Sequence, residues 1–153
     1  MSTTDRDYLL GTHDEEIVRL GLQHRVWAPR TLASWRAAGF TVGQTILDIG
    51  AGPGYASLDL AAITGPTGKV VALERSRRFL DVLAARAAHA GLANIESHEL
   101  DLEIDALPAV RADAAWGRWI FAFLKDPRAA LVKVRDALKP GAPLVLYEYL
   151  DYQ

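Results

Sequence analysis

The run Thr45-Ile46-Leu47-Asp48-Ile49, followed at once by Gly50-Ala51-Gly52-Pro53-Gly54-Tyr55, decides how this chain folds. Its first five residues are too few for a helix and are rich in aliphatic and β-branched side chains, so they read as a buried strand. Glycine at positions 50, 52 and 54 lets the backbone turn sharply and lets a ligand approach with no side chain in the way. A helix predicted from Tyr55 to Ile63 begins just past the glycines and presents free backbone N–H groups to the same place. Asp48, at the end of the strand, adds a negative charge suited to a positively charged group. A glycine cluster by itself is usually a tight turn; the strand before it and the helix after it make this one a binding loop.

Outward from that loop, short apolar runs alternate with helical patterns. Lys69 to Glu74 is a second buried strand, and Ser76 caps a helix that carries Phe79, Leu80, Leu83 and Ala87 on one face and stops at Gly91. Asn94 to Leu100 and Ala112 to Gly117 are expected third and fourth strands. Asp126 and Pro127 then start a helix bearing Leu131, Val134 and Leu138, and Leu144 to Leu150 is expected as the fifth strand. Strands separated by helices imply βαβ units, hence an α/β fold with a doubly wound, mostly parallel sheet. Before residue 41 the pattern is helical throughout. Ile17, Leu20 and Trp27 fall on one line with Val18 and Leu22 beside it, and Pro29 is expected to divide the stretch into two helices ending near Gly39. The expected organisation is thus a helical cap over 1–40 and a sheet domain over 41–153, with Trp27 and Trp35 as core or cap residues.

Composition narrows the function. The chain has 153 residues, 17 Lys plus Arg against 19 Asp plus Glu, a formal net charge of -2 and no cysteine. That length supports one core. The charge argues against a nucleic-acid binder that relies on an overall positive field, and the lack of cysteine excludes thiolate catalysis and Cys-ligated metals. No window approaches the roughly 18 apolar residues of a membrane span, and the acidic N-terminus lacks a signal peptide's apolar stretch, so a cytoplasmic protein is expected. His13, His24, His89 and His98 show no metal-ligand spacing, and no metal is expected.

In an open parallel sheet the ligand lies beyond the carboxyl ends of the strands. Glu74 ends the second strand, where a carboxylate can accept hydrogen bonds from both hydroxyls of a ribose; from its position alone it could equally pair with Arg75, Arg77 or Arg78. Asp101 closes the third strand at the rim where a base would lie, and alone would read as a cap of the following turn. A dinucleotide fingerprint needs Gly or Ala at position 55, so Tyr55 argues against NAD, and an NAD-linked oxidoreductase is a distant third reading.

Five blocks in order carry a resemblance: D-I-G-A-G-P-G-Y at 48–55, V-V-A-L-E-R-S ending the second strand, D-L after the third, D-A-A-W-G-R-W-I-F-A-F-L-K-D-P around the fourth, and L-K-P-G before the fifth. Over residues 40 to 150 the chain resembles class I S-adenosylmethionine-dependent methyltransferases of the small-molecule type. The resemblance implies a Rossmann-like sheet of order 3-2-1-4-5, S-adenosyl-L-methionine as cofactor and methyl transfer to a small-molecule acceptor. It implies that Asp48 and the loop of Gly50, Ala51, Gly52, Gly54 and Tyr55 hold the methionine part. Glu74 with Arg75 would hold the ribose, Asp101 and Leu102 the adenine, while Gly117 and Arg118 border the methionine and the acceptor's entrance. More loosely, Tyr8 and Gln23 resemble cap residues that close over the cofactor. No general base is assigned, His24 and His98 being the better guesses. The resembled family's sheet continues past its fifth strand, so a truncated enzyme or a cofactor-binding module without activity of its own is the expected alternative. The exposed edge of the fifth strand would then suit pairing with a second copy.

Overall fold

The computed structural model describes residues 14–149. Five strands, β1 (Thr45–Ile49), β2 (Lys69–Glu74), β3 (Ile95–Glu99), β4 (Ala114–Arg118) and β5 (Leu144–Tyr147), form one sheet. Its order is β3-β2-β1-β4-β5 and all four pairings are parallel. Helices α1 (Asp14–Ala37), α2 (Tyr55–Thr64), α3 (Arg77–His89) and α4 (Pro127–Ala137) pack around it, with a 3-10 turn over Phe121–Phe123. This is the doubly wound α/β sheet expected, with the strand order reversing at β1.

Alternation along the strands divides the core between the two faces. Ile46, Val70, Ala114 and Trp116 point to one side, where Trp35, Phe40 and Leu60 meet them. Leu47, Ile49, Val71, Leu73 and Ala115 point to the other, against Phe121, Ala130 and Val134. Asp48 shares its face with Ile46 and so lies under α1 and α2. Ser76 caps α3 by accepting from the Phe79 N–H, and Asp126 caps α4 by accepting from the Ala129 N–H, as their positions imply. Of the α4 face expected, Val134 is fully buried and Leu138, at the helix's C-terminal cap, packs against the same core with Ala130 and Ala137, but Leu131 is exposed.

Two expectations about the first forty residues are corrected. Pro29 does not divide them, because α1 runs unbroken through it. A proline removes one N–H and crowds the carbonyl four residues back; here both Pro29 and Arg25 are exposed, so water can satisfy the carbonyl of Arg25. The buried stripe of α1 is Ile17, Gly21, His24, Thr31 and Trp35, while Val18, Leu22 and Val26 stand in solvent. Up to His24 these residues, with buried Glu16, are largely small or polar because they face Tyr55 and Asp59 of α2, whereas Trp35 enters the apolar core. Trp35 anchors the C-terminal part of the helix, edge-on to Trp116 at 5.1 Å. The Tyr147 hydroxyl of β5 donates to the Arg30 carbonyl and lies 2.6 Å from Ser34 Oγ.

Trp35→Ala should therefore cost about 3–5 kcal/mol, the usual range for deleting a buried aromatic. Guanidinium unfolding reads this directly; a loss below about 1 kcal/mol would show that α1 is not part of the core.

Candidate cofactor site

The loop from Gly50 to Gly54 leaves β1 where the carboxyl ends of β2 and β4 flank it. All three glycines are left-handed, with φ of 66° at Gly50, 57° at Gly52 and 90° at Gly54. A Cβ on Gly50 would lie 2.1 Å from Ile120 Cδ1, and one on Gly54 2.6 Å from Leu83 Cγ. Nothing lies within 4 Å of a Cβ placed on Gly52. Gly50 and Gly54 therefore serve the protein's own packing, and Gly52 alone opens onto the space a ligand would fill. Ala51, between them, is buried and its N–H donates to the Leu73 carbonyl, which fastens the loop to β2.

Glu74, 2% exposed, takes the Gly52 N–H on Oε2 and the Ser76 N–H on Oε1, each at 2.8 Å. A carboxylate only accepts hydrogen bonds, so the group suits hydroxyl donors. Of the neighbouring cations, Arg77 pairs with Asp81 and Glu99 and Arg78 with Asp14, while Arg75 is exposed. Beyond β3, Asp101 Oδ1 accepts from the Glu103 N–H at 2.9 Å, and the Leu102 carbonyl accepts from Lys133 Nζ at 2.8 Å. The Leu100 N–H donates to the Glu74 carbonyl, so this turn is tied to the same sheet edge.

On the other side of the loop, Asp48 is buried and its Oδ2 accepts from Ser57 Oγ at 2.5 Å. Burial raises its carboxyl to about 6, against the opposing pull of the Ser57 hydrogen bond and the Arg118 charge. Gly117 is buried in β4 opposite Ile49, and Arg118 follows it. Burial lowers the pKa of Arg118, and the charge of Asp48 opposes that. Its guanidinium lies 5.1 Å from the Trp119 ring and 5.8 Å from the Trp116 ring, and Nη2 is 3.1 Å from His24 Nδ1. A guanidinium has no lone pair to offer, so Nδ1 must be the bare acceptor. The proton of His24 then sits on Nε2, which donates to Asp59 Oδ2 at 2.7 Å.

Tyr55 is placed beside this group. Its hydroxyl donates to the Ile17 carbonyl at 2.9 Å and accepts from Arg86 at 2.6 Å, which joins α1 to α2. Gly21 makes room, since a Cβ there would come within 2.6 Å of the Tyr55 oxygen. Gln23 is half-buried in α1 next to His24. Tyr8 and His13 lie outside the described residues. His98 sits on β3, its Nε2 2.7 Å from Glu96 Oε1, on the outer strand away from the loop. Of the two histidines singled out, the fold brings only His24 to Arg118.

Four contributors escaped the sequence reading: Ser57, Asp59, Trp119 and Ile120. The spacing of Tyr55 and Asp59, four apart on one helix, was the available signal that both face α1. Trp119 carried none. It is left-handed at φ 54°, held there by its N–H on the Tyr147 carbonyl and by Glu148, which accepts the N–H groups of Ile120, Phe121 and Ala122. A cavity of about 500 Å³ lies at the opposite edge of the sheet, between α4 and the start of β5, and shares no residue with this group. Among the described residues no cluster of three or more metal-ligating side chains occurs, and no helix is long and apolar enough to cross a membrane.

A parallel sheet reversing at β1, with a glycine loop between an acid on β2 and a cation on β4, defines a Rossmann-like nucleoside-cofactor site. A family model for a methyltransferase domain matches residues 46–141, and the chain belongs to that family. It is 30% identical over 128 residues to a demethylmenaquinone methyltransferase of Lactococcus lactis, covering 82% of this chain and 49% of that protein. The chain spans about half the length of the curated relatives it matches. Among solved structures, an S-adenosylmethionine-dependent methyltransferase of Aquifex aeolicus superposes with a TM-score of 0.68 at 25% identity, covering 74% of this chain and 61% of that one. A structure from Methanococcus maripaludis shares the fold with a TM-score of 0.78 at 22% identity, covering 97% and 67%.

The Asp48 carboxyl gives a pH test. Its folded pKa lies above its unfolded value, so it costs the native state stability as pH rises from 3.8 through about 6. Asp48→Asn should gain roughly 2–3 kcal/mol on the wild type between about pH 4 and about pH 7, at ~1.36 kcal/mol per pKa unit. Urea unfolding of both proteins at the two pH values measures it, and a pH-independent difference would contradict the burial argument.

Proposed function

We propose that this chain binds S-adenosylmethionine across the Gly50–Gly54 loop and transfers its methyl group to a small organic acceptor. The observation that carries the reading is the open side of Gly52 beside Glu74, within a chain of the methyltransferase-domain family. The residues fit the cofactor. Gly52 offers backbone approach, Glu74 places a carboxylate, an acceptor of hydroxyl donors, next to it, and Asp48 places a carboxylate where a cationic ligand would relieve its burial. Asp101 and Leu102, tied to the same edge, are in position for the base. When bound, the cofactor supplies a methyl group on a sulfonium, already an activated leaving group.

The chain's own residues then act mainly through position and charge. Ser57 holds the Asp48 carboxylate toward the loop, Glu148 fixes the turn after β4, and Trp116 and Trp119 keep water from the Arg118 guanidinium. The cap helix α1 closes the acceptor side through His24 and Tyr55. Several relatives are named as demethylmenaquinone methyltransferase or ubiquinone/menaquinone biosynthesis C-methyltransferases and one as an aklanonic acid methyltransferase. Those names put cyclic, ring-hydroxylated acceptors first among the compounds to assay.

Calorimetric titration should show S-adenosylmethionine and S-adenosylhomocysteine binding and NAD not binding; binding of NAD alone would refute the proposal. Gly52→Ala should weaken the nucleosides at least tenfold. Gly141→Ala is the matched control, because Gly141 is also left-handed with nothing within 4 Å of its Cβ position but lies before β5, at the far edge of the sheet. Equal effects of the two substitutions would mean that Gly52 acts through backbone strain and not through contact with a ligand.

A further inference from the structure

Arg118 carries a donor that the described protein does not use. Its Nη2 is spent on His24, while Nη1 is buried with no hydrogen-bond partner. An unmet donor on a desolvated cation is costly, more so than on a neutral group. The surroundings hold it there nevertheless. Asp59 fixes the tautomer of His24, His24 fixes the plane of the guanidinium, and two indole rings flank it. Asp48, on the adjacent strand, contributes an opposing charge, so the sheet edge presents separated negative and positive groups to one ligand.

We propose that Arg118, aimed by the Asp59–His24 pair, is the seat of an anionic oxygen of the bound ligand, supplied by the α-carboxylate of the cofactor or by a carboxylate or aryl-oxide oxygen of the acceptor. The seat rests on the S-adenosylmethionine reading above for its first source, and stands on the geometry of Arg118 alone for its second. Asp59 and His24 are positioning residues. They touch no ligand and act by presenting Nη1, which a planar oxyanion completes with a charge-assisted hydrogen bond. Lysine would keep the charge and lose the fork.

Three probes separate the possibilities by calorimetry: S-adenosylhomocysteine, its decarboxylated analogue S-adenosyl-3-thiopropylamine, and 5′-methylthioadenosine. Benzoate is titrated as well, into both the free protein and the S-adenosylhomocysteine-loaded protein. If the cofactor supplies the oxygen, the wild type prefers S-adenosylhomocysteine to the decarboxylated analogue at least tenfold, Arg118→Gln abolishes that preference and Arg118→Lys restores part of it. If the acceptor supplies it, the nucleoside pair is indifferent to Arg118 while benzoate binding is lost in Arg118→Gln. His24→Phe keeps a ring against Tyr55 but removes the acceptor for Nη2; it should reduce the same discrimination and leave 5′-methylthioadenosine unchanged. An equal loss for all three nucleosides in His24→Phe would make His24 merely structural and overturn the positioning role. Failure of every nucleoside to bind the wild type would refute the cofactor reading, with benzoate still deciding the seat. If neither the nucleoside preference nor benzoate binding depends on Arg118, the seat is overturned.

Discussion

The hydrogen bond from the Gly52 N–H to the buried carboxylate of Glu74 is the contact on which the arrangement depends. It ties the loop after β1 to the end of β2, and the second oxygen of Glu74 ties the same point to Ser76, which caps α3. The loop is clamped laterally as well, with Ile120 filling the space over Gly50 and Leu83 the space over Gly54. A left-handed backbone costs an ordinary residue of order 1–3 kcal/mol at each position. Three alternate glycines avoid that cost, and the clamps on either side leave Gly52 as the one of the three with open space at its Cβ position. The specificity of the loop for glycine is thus mostly a packing requirement, and the ligand inherits the gap.

The strands and their order were legible because each is a short aliphatic run whose alternate residues must fill two different cores. Ile46 and Leu47 meet separate clusters, and no helix could satisfy both. The caps at Ser76 and Asp126 were legible for a similarly local reason. The first helix was not. Of the expected line of Ile17, Leu20 and Trp27 with Val18 and Leu22 beside it, the fold buries Ile17 and leaves Val18 and Leu22 exposed, because Tyr55, Asp59 and Arg118 recruit this helix at Ile17, Gly21 and His24 through polar contacts that hydrophobic periodicity does not encode. Pro29 misled for a related reason: its penalty is real, but Trp35 and the Tyr147 hydroxyl hold the helix beyond it in place. The site was legible at Asp48, Glu74 and Arg118 as positions at strand ends. What each side chain does there depended on partners distant in sequence.

Charge placement at this edge runs against stability. Asp48, Glu74 and Arg118 are removed from water at the end of a sheet that is otherwise aliphatic, and the protein meets the cost unevenly. Glu74 accepts from two backbone amides, which compensate its burial. Asp48 has one hydroxyl and a carboxyl pushed up by burial, and Arg118 has one imidazole and an unmet amino group. The two side chains least satisfied by the protein lie on adjacent strands and have opposite sign. An edge selected for stability alone would have brought them into direct contact or replaced both with apolar residues, which is often neutral or better.

The cap helix is coupled to that imbalance. Two sets of contacts hold the middle of α1 down: the Tyr55 hydroxyl on the Ile17 carbonyl, supported by Arg86, and the Asp59–His24–Arg118 chain. The first depends on α2 and, through Arg86, on α3, and involves neither Asp48 nor Arg118. The second runs through the guanidinium, so anything that engages Nη1 and tightens Arg118 also tightens His24 and, through it, α1. Hydrogen bonds to charged groups are worth ~1.5–3 kcal/mol each, and the segment between Val18 and Val26 exposes its aliphatic residues and so gains little from burial. The Tyr55 contact thus holds α1 independently of Arg118, while the His24 contact joins α1 to the guanidinium itself.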